Sequence, residues 1–248
     1  NKIKIKFNAD FDLIKNDKSI QLIEIDKVKK QTLGGAIDWE LNKTQKLSLN
    51  VQIYDQFETG KSKLMNTDTK ILRNNFSLSY QSFTNGKWNI EQTLNSNKYS
   101  RNYVQVRPWG DIEKDDTTNE DYLEYEILVN KKFGSNELTA GIETYNAIYK
   151  SDRVLSGKQE LRNHSLFGQY DINFFNQLST IIGLRFDDYS EYNSVLSPRV
   201  GLMYRFKENW KLRTSWGQGF RAPSFMERFI DWNHVQFNYS VLGNPNLE

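Results

Sequence analysis

The sequence predicts an all-β chain, an antiparallel up-and-down transmembrane β-barrel segment of about eleven long strands. Three observations predict it. Apolar and polar residues alternate one by one along most of the 248 residues. The alternating segments run to roughly ten residues, the length that crosses a bilayer when tilted, where strands of water-soluble sheets average about five or six. The connections alternate in length, a short one always followed by a long one.

The strands follow from the alternation. Ile3, Ile5, Phe7, Ala9 and Phe11 oppose Lys4, Lys6, Asn8 and Asp10, and Leu47, Leu49, Val51 and Ile53 oppose Ser48, Asn50 and Gln52. Phe76, Leu78 and Tyr80 oppose Ser77, Ser79 and Gln81. Leu166, Gly168, Tyr170, Ile172 and Phe174 form one face against Ser165, Gln169 and Asp171, and Thr180, Ile182, Leu184 and Phe186 face away from Arg185 and Asp187. Val200, Leu202, Tyr204 and Phe206 oppose Arg199, Gly201 and Arg205, and Leu212 and Trp216 oppose Lys211, Arg213 and Ser215. One apolar and one polar face is the pattern of a strand buried on one side.

The short connections are "NKTQ" (43–46), "TNG" (84–86), "FGSN" (133–136), "FN" (175–176) and "KEN" (207–209), with Asn85-Gly86 a strong hairpin signal. The long ones lie near 13–33, 58–69, 99–118, 150–162, 188–197 and 220–248. Tight turns on one rim and large loops on the other distinguish a membrane barrel from a soluble sandwich, which explains the alternation equally well. Single-chain bacterial barrels have even strand numbers, so an odd count reads as a single partial barrel domain over 1–248, lacking its last strands.

Composition narrows the function. The formal charge of +2, without a Lys/Arg block, predicts no nucleic-acid partner. The absence of cysteine removes disulfides and thiol chemistry. Mean hydropathy is −0.72, while aromatic residues reach 14%. No apolar run approaches the roughly 18 residues of a transmembrane helix, and no charged-then-apolar leader opens the chain. Neither a phosphate-binding glycine loop, a Cys/His metal spacing nor a nucleophile elbow is present, so no enzyme is expected.

Three stretches carry a family resemblance. They are "GLRFDDYS" (183–190), "LSPRVGLMYRFKENWKLRTSWGQGFRAPSFMERF" (196–229) and "GNPNLE" (243–248). With Gly183–Asp187, Ser197–Arg199, Phe220-Arg221-Ala222-Pro223 and Asn244-Pro245-Asn246-Leu247 in order and at family spacing, this last third resembles the TonB-dependent outer-membrane receptors. The resemblance implies a barrel of about 22 strands around an N-terminal plug. It also implies active uptake of a scarce chelate: ferric siderophore or haem, with cobalamin as the alternative. The partners it implies are outer-membrane lipid, the TonB complex through a plug that this sequence lacks, and in some systems a surface lipoprotein. A passive porin and a soluble β-rich binding module are the rivals from other classes. No intrinsic cofactor is implied; haem or a ferric chelate would be transported ligand.

The candidate site residues follow from parity and from the resemblance. Pro223 lacks an N–H and holds Ala222 extended, so the ladder stops at the Phe220–Pro223 box. Arg221 shares parity with Arg213 and Ser215, toward the lumen. In haem receptors of the family a ligating histidine lies between the two boxes, where this chain has His234, with Trp232, Phe229, Phe237 and Tyr239 nearby. An ordinary loop histidine among aromatics is the other reading. His164 has outward parity and reads as a rim residue. Asp111, Glu113, Asp115 and Asp116 form one acidic group and Asp187, Asp188 and Glu191 another. Calcium on Asp187, Asp188, Asp111 or Asp115 is weighed against solvated acidic loops, since the spacing matches no calcium motif. Arg185, Arg199, Arg205, Arg213 and Arg221 are expected to face the lumen and to balance Asp171, Asp187 and Glu143.

Overall fold

A computed structural model describes residues 2–17, 24–61, 65–84, 88–175, 177–207, 210–234 and 238–247. Its main body is one antiparallel sheet of eleven strands in sequence order. They are β1 (Lys2–Asp17), β2 (Glu24–Glu40), β3 (Gln45–Lys61), β4 (Asn66–Phe83), β5 (Trp88–Val106), β6 (Ile112–Phe133), β7 (Asn136–Ser151), β8 (Lys158–Phe174), β9 (Leu178–Tyr189), β10 (Val195–Lys207) and β11 (Trp210–Gly217). Every strand pairs with its sequence neighbours, and β1 and β11 are the edges among the described residues. A five-residue helix, α1 (Phe225–Phe229), and a small hairpin, β12 (Asp231–His234) with β13 (Tyr239–Leu242), follow β11.

The strand count and the up-and-down order are as the alternation predicts; the strand lengths are not. β4, β5 and β6 have 18, 19 and 22 residues, and of the eleven strands of the main sheet only β11, with 8, is shorter than ten. Most of the spans read as long loops are strand: the described connections are 107–111 between β5 and β6, 152–157 between β7 and β8, and 190–194 between β9 and β10. The reason is chemical. Toward this rim both faces become polar, so the binary pattern that marks a strand disappears while the ladder continues. On β5 the outward positions Trp88, Ile90 and Leu94 give way to Lys98, Ser100 and Asn102. The Asn85-Gly86 turn lies outside the described residues, as do Asn176 and part of "KEN".

The register divides the sheet into two faces. Cross-strand rows such as Asn50–Ser77–Asn95–Glu124–Tyr145–Asn163–Tyr189 keep polar residues together. The opposite face gathers Leu33, Val51, Phe76, Leu94, Leu123, Ile142, Leu166, Leu184 and Val200. A one-residue slip would exchange the faces of a whole strand, so this consistency fixes the register.

No conventional core exists. Among the described residues the buried apolar ones are Val28, Tyr149, Val154 and Leu161, while Phe7, Ile3, Leu166 and Trp216 are 85%, 58%, 61% and 64% exposed. A continuous apolar exterior of this extent is what hydrocarbon covers, and the ladder hydrogen bonds satisfy the backbone that lipid cannot. No helix among the described residues is long and apolar enough to cross a membrane; a barrel crosses with its strands. Leu184 lies mid-belt on β9, facing outward and 49% exposed. Leu184→Arg should therefore destabilise the folded barrel by about 2–4 kcal/mol. The expected readout is loss of the heat-modifiable folded band from outer-membrane fractions; an unchanged band would remove Leu184 from the lipid-facing surface.

Candidate functional site

Where β3–β7 rise past the apolar belt, the polar face carries a row of alternating rings and charges. Tyr54, Arg73, Tyr99, Glu120 and Tyr149 are direct partners across five strands. The Arg73 guanidinium lies between two tyrosine faces, 5.6 Å from the Tyr54 centroid and 5.4 Å from Tyr99. In the same way Arg101 sits 5.0 Å from the Tyr103 ring. Neither arginine makes an ion pair with a described carboxylate. A guanidinium held by aromatic faces is oriented while its N–H fork stays available, which suits planar anions and chelates bearing anionic oxygens.

Arg73, Tyr99, Arg101, Glu120 and Tyr149 line a cavity of about 490 Å³, together with Asn75, Asn97, Lys98, Thr118, Tyr122, Arg153 and Met226. Glu120 is the one lining carboxylate among the described residues. Arg153, at the start of the β7–β8 connection, is neutralised: its Nε donates to Asp116 Oδ2 at 3.0 Å, and its Nη2 bonds the same oxygen. The site thus has concave shape, ring faces, and two guanidinium groups that make no ion pair with a described carboxylate.

The segment after β11 reaches this cavity. Phe225 stacks on Tyr149 with centroids 5.7 Å apart, and the Tyr149 hydroxyl donates to Met226 Sδ at 3.3 Å. Ile230 bridges Val154, Asp231 N–H donates to the Arg153 carbonyl at 2.8 Å, and Arg153 lies 4.8 Å from the Trp232 ring. Tyr192 donates its hydroxyl to the Pro223 carbonyl at 2.7 Å. The segment is anchored to β7, the β7–β8 connection and the β9–β10 connection rather than hanging free at β11.

Its internal contacts explain why the two sequence boxes occur together. Arg221 forms a two-pronged ion pair with Glu227 at 2.9 and 3.0 Å. Ser224 and Glu227 cap α1 reciprocally. The Arg221 pair, then the Ser224 backbone N–H, hold the Glu227 carboxyl down at a pKa of about 2. Arg228 is buried, and its Nε and Nη2 donate to the Pro245 carbonyl at 3.0 and 2.6 Å. Gly243 N–H donates to Ile230 and Asn244 N–H to Glu227. At Gly243 a Cβ would run into the Arg228 backbone, so only glycine allows this approach. The Phe220–Pro223 and Asn244–Leu247 boxes are two halves of one clasp.

The other expected residues fall as follows. His234 is on β12, opposite Tyr239 in the ladder. The His234 side chain and Phe237 lie outside the described residues. Trp232 is part of the anchor, and Tyr239 is 48% exposed. His164 faces outward, with Nδ1 2.8 Å from Thr144 Oγ1. The four candidate calcium carboxylates do not converge. Asp187 is buried on the polar face under Arg185, and Asp188 accepts from Ser194. Asp111 accepts from Trp109 and Asp115 from Asn102. No group of three or more His, Cys, Asp or Glu arranged for a metal occurs among the described residues. Arg185, Arg199, Arg205 and Arg213 share the polar face, as parity predicts. Arg185 binds both Glu143 and Asp187 at 2.9 Å.

Sequence reading missed Arg73, Arg101 and their tyrosines. The available signal was "YSRNY" (99–103), which places Tyr99, Arg101 and Tyr103 on one face. It went unread because both faces are polar there.

A family model described as TonB dependent receptor-like, beta-barrel matches residues 23–248. The iron-regulated outer membrane virulence protein of Vibrio cholerae serotype O1 is 27% identical over 176 residues, covering 61% of this chain and 26% of that protein. The siderophore receptor PirA from Acinetobacter baumannii superposes over 99% of this chain and 43% of its own, with a TM-score of 0.81 and 15% identity. The Serratia marcescens hemophore receptor HasR, solved with its hemophore HasA and heme, matches over 99% of this chain and 44% of its own, with a TM-score of 0.79 and 15% identity. The chain therefore spans less than half the length of each.

Proposed function

This chain belongs to the TonB dependent receptor-like β-barrel family, and on that premise we propose that it forms part of the barrel of a receptor importing an anionic iron chelate of the ferric siderophore kind. The family is one of outer-membrane receptors and not of enzymes, and the bacterial outer membrane is its location. The observation that carries the ligand reading is the pair Arg73 and Arg101, oriented on tyrosine rings in a cavity with a single lining carboxylate among the described residues. An iron-regulated relative and a siderophore receptor of the same fold support it. Uptake would draw on the TonB complex through a plug domain, with any surface lipoprotein as an accessory.

Haem is the second reading, because a hemophore receptor shares the fold and His234 belongs to β12, in the segment anchored beside the cavity. Trp232, Phe237, Tyr239 and Arg221 would be its neighbours in that role. The test is a titration of the receptor carrying this chain, purified in detergent, with a ferric tris-catecholate, haem and cobalamin. The expected result is tightest binding of the ferric tris-catecholate, weakening with salt as charge–charge attraction is screened. Tighter haem binding that is lost in His234→Ala would replace this reading with haem uptake.

A further inference from the structure

Directly below the arginine row, the polar face of β1–β5 carries no charge over two successive rows apart from Lys6. The first runs Asn8–Gly34–Gln52–Asn75–Asn97, the second Lys6–Ala36–Asn50–Ser77–Asn95. They line a cavity of about 720 Å³. Asn75 and Asn97 line both this cavity and the arginine cavity, so the two are continuous along β4 and β5. Gly34 and Ala36 keep the floor low: a Cβ at Gly34 would collide with Asn8.

The rows change character when followed onto β6–β9. The first continues into Tyr122, Ala147 and Leu161, the second into Glu124, Tyr145, Asn163 and Tyr189, and the row beneath them carries Glu126, Glu143 and Asp187 on β6–β9, with Arg185 as the cation beside them. Arg185 is committed to Glu143 and Asp187. That wall is acidic toward an arriving anion, whereas on β3–β5 the two rows offer amide and hydroxyl groups only, with Lys6 beside them on β1 and the Asp38–Lys46 pair one row below.

We infer that the strip Gln52, Asn75, Asn97, Asn50, Ser77 and Asn95 is the inward path taken by the anionic ligand after capture at Arg73 and Arg101. This rests on the anionic-chelate reading above. An anion that leaves two guanidinium groups needs hydrogen-bond donors to replace them. It also needs a surface with neither a carboxylate to repel it nor a further cation site deep enough to trap it. Side-chain amides meet both conditions, since they donate without fixed charge and can exchange partners as the ligand moves; Asn75 Nδ2 now donates to Gln52 Oε1 at 3.2 Å, and Asn95, at the border of the acidic wall, donates to Glu124 Oε1 at 2.9 Å. The acidic wall supplies the repulsive half of the guidance.

The experiment places carboxylates in the strip of the receptor carrying this chain, as Asn50→Asp with Ser77→Asp. Neither residue lines the arginine cavity. Iron-55 as ferric tris-catecholate is the probe, and binding to cells and uptake are measured separately. The expected result is binding within about threefold of the parent and uptake lowered at least about tenfold, which is about 1.4 kcal/mol or more on the transport barrier. Thr139→Asp, an added carboxylate on the β7 wall, should leave uptake unchanged. Normal uptake by the strip variant overturns the inference, and so does an equal loss in Thr139→Asp. Loss of binding in the strip variant also overturns it, because the strip would then belong to the capture site. Failure of the parent receptor to bind the probe at all overturns the anionic-chelate reading itself. The heat-modifiable folded band, required of each variant, separates these outcomes from misfolding.

Discussion

Replacing both Arg73 and Arg101 by glutamate should lower the affinity for a ferric tris-catecholate by at least about a hundredfold. Each guanidinium offers charge-assisted hydrogen bonds worth about 1.5–3 kcal/mol, and two of them together account for two to four decades of affinity at about 1.4 kcal/mol per decade. The new carboxylates would also stand beside Glu120, adding repulsion to the lost attraction. Arg73→Gln with Arg101→Gln removes the charge without creating that repulsion and should still lose at least about tenfold. Lysine at both positions keeps the charge but loses the planar fork and the ring stacking, so an intermediate loss is expected. Isothermal titration against the purified receptor reads all three. Affinity unchanged within about threefold in the glutamine variant would move capture away from this row, leaving the segment around His234 as the site. Folding should survive, because neither arginine makes an ion pair with a described carboxylate and both face the water-lined side of the sheet.

The belt was legible in the sequence because one face there meets hydrocarbon and the other meets water. Leu166–Phe174 and Thr180–Phe186 show it without ambiguity, and parity alone placed Arg185, Arg199, Arg205 and Arg213 on the polar face. The upper strands were not legible. Lys98, Ser100 and Asn102 on one side of β5 and Arg101 and Tyr103 on the other look like a loop, since nothing there is required to be apolar. The arginine row was hidden for a second reason. Tyr54, Arg73, Tyr99, Glu120 and Tyr149 come from five strands, and only the register brings them into line. The clasp was half visible: the two boxes could be matched to a family by their order, but the contact of Gly243 with Arg228 depends on a backbone approach that no spacing encodes.

Removing the Arg185 guanidinium should destabilise the polar face of the sheet. Its Nε donates to both oxygens of Asp187 at 2.9 and 3.1 Å, and its two terminal nitrogens reach Glu143 at 3.3 and 2.9 Å. Ser165 joins the network, bonding Asp187 and accepting from Arg185. The carboxylates are the less accessible members, with side-chain exposures of 17% for Glu143 and 8% for Asp187, against 36% for Arg185. Arg185→Met therefore strands two poorly hydrated carboxylates beside each other. Breaking a fully buried pair costs about 3–5 kcal/mol. The partial exposure of Arg185 reduces this to about 2–3 kcal/mol, because water shares the solvation. Thermal unfolding of the receptor in detergent should show the midpoint falling accordingly. Adding Glu143→Gln and Asp187→Asn to Arg185→Met should recover most of the loss, since the cost lies in the unpaired charges rather than in the missing attraction. If the triple variant is no more stable than Arg185→Met alone, the guanidinium acts by filling space between β7 and β9, and the charge balance assigned to this wall is wrong.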